Sequence, residues 1–188
     1  VATQRFCTEG NLQQTGNPLD VAIEGNGFFQ VLLPNGTLGY TRDGSFKMSA
    51  DGQVVTSDGF FLQPSVTVPP DSDDISVSPD GVISVRVSGD PTPQDIGQLE
   101  MAKFINPTGL EAIGHNLFIE SPASGNATLG TPTQNGFGRT NQGYLEMSNV
   151  EIVEEMVNMI IAQRAYEINS KAIQTSEEMT QIANNLKK

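Results

Sequence analysis

The chain has 188 residues, 37% of them hydrophobic and 17% charged, with a formal net charge of −12. This length suffices for one domain with a core of its own, with or without an appendage. The negative charge argues against nucleic acid and anionic membranes as partners, because both bind clustered Lys and Arg, and the single cysteine, Cys7, excludes an intrachain disulfide.

The first part of the chain changes character near Val21. Residues 1–20 are polar, and we expect an extended connector there. Residues 21–147 contain short β-type runs separated by Asn-Gly or Asp-Gly pairs, which accept the positive φ that tight hairpin turns require. These pairs are Asn35-Gly36, Asp43-Gly44, Asp51-Gly52, Asp58-Gly59 and Asp80-Gly81. The pattern predicts an antiparallel, mainly β body, in which the Gly-, Pro- and Ser-rich residues 121–142 form an exposed loop.

The body offers no convincing catalytic, cofactor or metal site. His115 is the only histidine, and neither it nor Cys7 has the partners that a catalytic triad or a zinc site needs. Gly25-Asn26-Gly27 lacks the third glycine and the following helix of a dinucleotide site. The acidic residues 71–74 lack the glycine and distal Glu of a calcium loop, so we expect a solvated loop. We therefore expect no enzyme activity, cofactor or small-molecule substrate.

Residues 148–188 form a single predicted helix. Ser148 and Glu151 have the spacing of a capping box, and neither Gly nor Pro occurs after Met147. Apolar or small residues recur every three or four positions, which is the α-helical period. We predict that this stripe is a seam for self-association in a coiled coil. Its members are Val150, Val153, Val157, Ile161, Ala165, Ile168, Ala172, Thr175, Met179, Ile182 and Leu186.

A polar band interrupts the same helix. It can be a solvated face, or it can set the register between packed helices, since polar groups at a seam fix alignment and partner. As register contacts we single out Asn158, Gln163, Arg164, Tyr166, Glu167, Asn169 and Lys171.

The length of the helix implies a partner. A helix of about 37 residues is roughly 55 Å long, whereas a body of about 147 residues is roughly 40 Å across. The body cannot cover the whole stripe, and an isolated helix gains little stability without packing. We expect the stripe to pack on other helices, either from a segment preceding Val1 or from copies of the same chain.

Several motifs resemble the family of flagellar axial proteins, which build the rod and the hook. "SNVEIVEEMVNMIIAQRAYEINSKAIQTSEEM" is similar to the C-terminal signature of that family. "GNLQQTGNPLDVAIEGNGFFQV" and "YTRDGSF" resemble the start of its body, and "INPTGLEAIGHNLFIESPASG" and "GYLEMSNV" resemble the members that form the distal rod. The matches extend over most of the chain.

The resemblance implies a structural subunit with β domains on the outside and a helical core, built from both chain ends, around an export channel. Such a tube transmits motor torque to the hook. The implied partners are the chain itself, proximal rod proteins, hook protein and the surrounding bushing rings. The implied location is the basal body in the periplasmic space, reached through the flagellar export apparatus without a cleaved signal peptide.

Two departures from the family leave alternatives open. The family's N-terminal helix is absent, so we expect Val1 to be a truncation point, and the features that separate distal from proximal rod are missing with it. No large domain is inserted before the helix, which argues against hook protein. A proximal rod or short hook-type protein, and from another class a secreted β-rich binding module or glycan-acting enzyme, remain as alternatives.

Overall fold

The computed structural model describes residues 7–88 and 92–185. The chain divides into two compact units, of which the first ends at Asn149 and the second begins at Val150. The first unit is built from antiparallel strands, and the second contains one long α-helix. The predicted fold class, a mainly β body followed by a single C-terminal helix, is therefore confirmed.

The described residues of the first unit form sixteen strands. They are β1 (Leu12–Gln14), β2 (Val21–Glu24), β3 (Phe28–Leu32), β4 (Leu38–Thr41), β5 (Lys47–Met48), β6 (Val54–Val55), β7 (Phe61–Gln63), β8 (Ser72–Val77), β9 (Val82–Val87), β10 (Gln94–Gln98), β11 (Met101–Lys103), β12 (Glu111–Gly114), β13 (Leu117–Ile119), β14 (Thr128–Gly130), β15 (Arg139–Gln142) and β16 (Tyr144–Glu146).

The strands form one large sheet and three small ones. The large sheet has the order β12-β13-β4-β3-β7-β6-β5, with β11 also paired to β3 and β14 paired to β11. A three-stranded sheet has the order β10-β9-β8, and two pairs, β2 with β15 and β1 with β16, complete the unit. Every pairing is antiparallel, as the frequent hairpin turns predict.

The core of the body lies on both faces of β3. Phe29 is fully buried and meets Phe46 edge to face at 5.1 Å between ring centroids. The neighbouring residue Phe28 points to the opposite face of the sheet, where its ring packs against Phe104 in a second apolar cluster that includes Tyr40. Because β3 is central and covered on both sides, its sequence is a nearly continuous apolar run.

Two parts of the body differ from the sequence prediction. Residues 121–142 were expected to be loop, yet they contain β14 and β15. The polar strand β15 is fixed by pairing with β2 and by the Gln142 side-chain amide, which donates to the Ile75 carbonyl at 2.7 Å. The acidic residues 71–74 were also expected to be loop, but residues 72–74 belong to β8, which is an edge strand and leaves their side chains accessible.

The fold requires glycine in the predicted turns for two different reasons, which are a positive φ and a lack of space for a side chain. Gly36 and Gly59 have φ of +80° and +88°, the left-handed conformation that was predicted for the turns. The hairpin predicted at Asp43-Gly44 does not form, because this pair joins β4 to β5, which are not neighbours in the sheet, and Gly44 has no positive φ. A Cβ atom at Gly44 would lie 1.7 Å from the Val21 carbonyl oxygen. At Gly44 the fold therefore requires the absence of a side chain.

The helix, α1, extends over Ile152–Asn185. It begins later than the capping box predicted, since Glu151 and not Ser148 directly precedes the first helical residue. Glu154 and Glu155 lie in the first turn, where carboxylates interact favourably with the positive end of the helix dipole. In the described part of the chain, no helix combines the length and the apolar character needed to cross a membrane.

Candidate functional site

The predicted seam lies almost entirely on α1. Val150 precedes the helix, Leu186 lies outside the described residues, and the other members occupy helical positions. Their side chains are exposed in the single chain, with 76% of Val153, 66% of Ile168 and 48% of Val157 accessible. Aliphatic side chains of this size are usually buried, and a contiguous exposed row of them is typical of an interaction surface.

The apolar surface of α1 is wider near its start than the predicted stripe. Four further residues lie beside the stripe in the first three turns: Ile152, Met156, Met159 and Ile160, with accessible fractions of 69%, 60%, 61% and 54%. At about 100° per residue, these and the stripe together cover about half of the helix circumference. A helix that is apolar over so wide an arc is usually enclosed by several neighbours.

The sequence predicts part of this wider apolar surface. Met156, Met159 and Ile160 are apolar residues that widen the predicted stripe near its start, whereas the sequence pattern does not single out Ile152 or the exposed Ile173. In the sequence, the only signal for these two residues is that the helix carries more apolar residues than a single seam needs. The second half of the helix carries a narrower stripe, through Ala172, Met179 and Ile182.

The polar band is also exposed. All seven predicted register residues, from Asn158 to Lys171, lie on α1 with accessible side chains, and Tyr166 is 75% exposed. Their side chains are thus accessible in the single chain. Whether they set a register is a question of assembly, and it stays a prediction here.

The residues considered for chemistry are not brought together. His115 and Asn116 form the turn between β12 and β13 with φ of 52° and 58°, and Cys7 is exposed. Within residues 7–88 and 92–185, no three His, Cys, Asp or Glu side chains form a group that could hold a metal ion.

A second feature, which the sequence did not predict, is the pairing of β1 with β16. Leu12 pairs with Glu146 and Gln14 with Tyr144, so a strand from the expected connector lies beside the last strand before α1. The ladder continues through the Met147 N–H, which donates to the Asn11 carbonyl at 2.9 Å. The signal is weak in the sequence because the partners are far apart and "LQQ" is polar.

Two family models match this chain. One, described as the flagellar hook protein FlgE/F/G D1 domain, covers residues 22–85 and hence β2 to β9. The other, described as the flagellar basal body rod FlgEFG protein C-terminal region, covers residues 141–186, from the end of β15 through α1. The two matches thus include parts of both structural units.

Individual proteins are similar over the whole chain. The flagellar basal-body rod protein FlgG of Borreliella burgdorferi is 53% identical over 100% of this chain and 71% of its own length. FlgG of Buchnera aphidicola from Acyrthosiphon pisum is 52% identical over 96% of this chain. The flagellar hook protein FlgE of Salmonella typhimurium is 37% identical over only 58% of this chain and 29% of its own length. The chain therefore belongs to the family of flagellar basal-body rod proteins.

Proposed function

We propose that the protein is a structural subunit of the flagellar distal rod, and that it self-assembles into a helical tube that transmits motor torque to the hook. The observation that carries this proposal is the continuous exposed apolar surface of α1 in a chain of the rod family. Contacts between unlike surfaces of identical copies generate a helical filament when the rotation from one copy to the next does not close into a ring.

The energy for assembly would come mainly from the aliphatic residues of the seam. Burial of one such side chain stabilises by about 1.5–3 kcal/mol, and association must first offset the lost translational and rotational freedom of each subunit. The seam has six branched aliphatic residues from Val150 to Ile182, and their burial would therefore be a substantial source of free energy for assembly. The polar band would then select one register among the alignments that the apolar stripe allows.

The remaining parts of the proposal concern location and partners. Helices packed through their seams would surround the export channel, and β bodies would form the outer layer. The subunit would contact proximal rod proteins on one side and hook protein on the other, within the bushing rings of the periplasmic space. It would reach that place through the flagellar export apparatus, and it would act mechanically, without enzymatic turnover.

A hook-type function is the second candidate. It is less favoured, because similarity to the Salmonella typhimurium hook protein is lower and covers 58% of this chain, whereas the Borreliella burgdorferi rod protein matches over 100%. Complementation of strains that lack either protein separates the two candidates. Rescue of the hook but not of the rod would reject the rod assignment.

The decisive experiment places two charges in the seam. We expect Val157→Asp with Ile161→Asp to abolish rod assembly, because burying two unpaired carboxylates is very costly. Electron microscopy of basal bodies from cells that carry the substitutions in the full-length protein provides the measurement. Circular dichroism of the purified chain should show that the β body remains folded.

A matched control carries the same added charge elsewhere on α1. Gln174→Asp with Gln181→Asp changes two exposed residues that lie off the stripe, and we expect rods of normal length. Normal rods from the Val157 and Ile161 variant would show that the stripe is not the assembly seam.

A further inference from the structure

The chain segment that precedes α1 pairs with a segment near the start of the described residues, and together they form a separate ribbon, which we call the stem: residues 8–14 and 144–149. Its strands β1 and β16 pair only with each other in the described sheets. The side-chain amide of Asn149 extends the contact by donating to the Thr8 hydroxyl at 2.7 Å. A two-stranded ribbon is marginally stable by itself, so the stem needs an attachment to the rest of the β body.

Arg42, which follows β4, supplies that attachment. Its Nε donates to Glu146 Oε2 in the stem at 2.8 Å. Its other two nitrogens donate to backbone carbonyl oxygens in and after β2: those of Gly25 at 3.1 Å, Gly27 at 3.0 Å and Ile23 at 3.3 Å. A single guanidinium therefore joins the stem to the chain between the core strands β2 and β3.

Glu146 extends the link across both strands of the stem. Its Oε1 accepts a hydrogen bond from the Gly10 N–H at 3.0 Å, while Oε2 faces Arg42. The strands are so close here that a Cβ atom at Gly10 would lie 1.8 Å from the Met147 carbonyl oxygen. The side chains of Arg42 and Glu146 are only 23% and 11% exposed, so solvent screens this pair weakly.

We infer that the Arg42–Glu146 pair is the mechanical anchor of the β body, which holds the stem on the core when force arrives along the chain from α1. The inference rests on the proposed function, since only a torque-transmitting subunit experiences such force. Val150 is covalently joined to the stem, so tension from the helix reaches β16 before it reaches any core strand. Without the anchor, the stem would keep its packing of β16 against β2 and the backbone hydrogen bonds at Gly143, but it would lose its only side-chain ion pair among the described residues.

A second ion pair provides a matched control. Arg139 donates to the Glu24 carboxylate through Nε at 2.9 Å and through Nη2 at 2.8 Å. The side chains of Arg139 and Glu24 are 57% and 42% exposed. This pair joins β15 to β2, which are already held together by backbone hydrogen bonds. Exposed pairs contribute little to stability, so its loss should leave every strand in place.

The first test is amide hydrogen exchange on the chain with Arg42→Lys, Glu146→Gln or Arg139→Lys. Lysine keeps the positive charge of Arg42 but not the planar fork that reaches several acceptors. We expect exchange at the stem amides of Gln13 and Met147 to accelerate by about 10- to 100-fold in the first two variants, with core amides such as that of Val31 unchanged. Arg139→Lys should leave all three unchanged. Stem exchange that is unaltered by Arg42→Lys and Glu146→Gln would overturn the anchor.

The second test measures force in flagellated cells that carry Arg42→Lys in the full-length protein. We expect rods of normal length and normal rotation of unloaded motors, but loss of rotation as the load on a tethered bead increases. The Arg139→Lys strain should rotate like the unsubstituted strain. Full rotation of the Arg42→Lys strain under the highest load would overturn the force path through Arg42. Absence of the unsubstituted protein from isolated rods would instead reject the proposed function.

Discussion

The β body and the helix solve the problem of apolar surface in opposite ways. In the body, Phe29, Val31 and Met101 are completely buried by residues of the same unit. In α1, no described side chain is buried, and aliphatic residues such as Ile168 remain more than half exposed. The body thus has its core within one chain, whereas the helix has an apolar surface that only further packing can cover.

This difference separates folding from assembly. The body gains its stability from contacts made when a single chain folds, and these contacts do not depend on protein concentration. An isolated helix gains little from propensity alone, so the stability of α1 should depend on neighbours. For the assembly that we propose, this division means that folding of the body and packing of the helix depend on different residues.

The largest expected effect comes from breaking the body's core. Phe29→Ala should destabilise the body by about 3–5 kcal/mol, since it removes a fully buried ring and leaves a cavity. Urea unfolding followed by near-ultraviolet circular dichroism reports on the body, and the helical signal at 222 nm reports on α1. If the helical signal falls together with the core, the two units do not behave as separately as we describe.

A smaller effect is expected at Tyr40, whose hydroxyl donates to Glu120 Oε1 at 2.7 Å. Burial, followed by this hydrogen bond, raises the pKa of Tyr40 above its ordinary value. The unfolded chain therefore releases this proton first, so the stabilisation is complete below about pH 10 and decreases by about 1.4 kcal/mol per pH unit above it. Tyr40→Phe should cost about 1–2 kcal/mol at neutral pH and remove this alkaline loss.

The test for Tyr40 is the free energy of unfolding as a function of pH between neutral and strongly alkaline solution. Tyr166→Phe is the control, because Tyr166 is 75% exposed and lies on α1. It should change neither the stability of the body nor its pH dependence. An alkaline loss in the Tyr40→Phe protein as steep as that of the unsubstituted chain would contradict the assignment to Tyr40.

The smallest effect in the single chain is expected from Ile168→Ala. Exposed positions tolerate substitution to within about 0.5 kcal/mol, and Ala is the better helix former. The same change should nevertheless weaken assembled rods, because it removes an aliphatic group from the proposed seam. Urea unfolding of the chain and the dissociation of isolated rods measure the two quantities. A destabilised body, or rods of unaltered stability, would contradict the expectation that Ile168 contributes to assembly and not to the stability of the single chain.

Local signals in the sequence predict much of this fold. Asn35-Gly36, Asp51-Gly52 and Asp58-Gly59 indicate three hairpins of the large sheet, and Asp80-Gly81 indicates the hairpin of β8 and β9. The period of the C-terminal residues predicts α1 to within a few positions. These features succeed because turn conformations and helical periodicity depend on residues that are close together along the chain.

Long-range features could not be predicted in this way. The composition of the polar strand β15 predicts loop, whereas its place in the fold is decided by its pairing with β2. The four hydrogen bonds of Arg42 depend on strands separated by up to 104 residues, and nothing around Arg42 distinguishes it from a surface arginine. For the seam, the sequence predicts which residues are apolar, and their exposure in the structure leaves the identity of the segment that covers them a prediction.

The stem also brings together the two ends of the chain segment that forms the rest of the β body. Its two strands run side by side, so the polypeptide enters and leaves the body through one narrow neck, with Leu12 opposite Glu146. A foreign domain whose own termini lie close together could replace the β body at this point, if it also supplies an attachment for the stem in place of Arg42. A β body of different size can be exchanged at the same point, since both ends of the exchanged segment lie together in the stem.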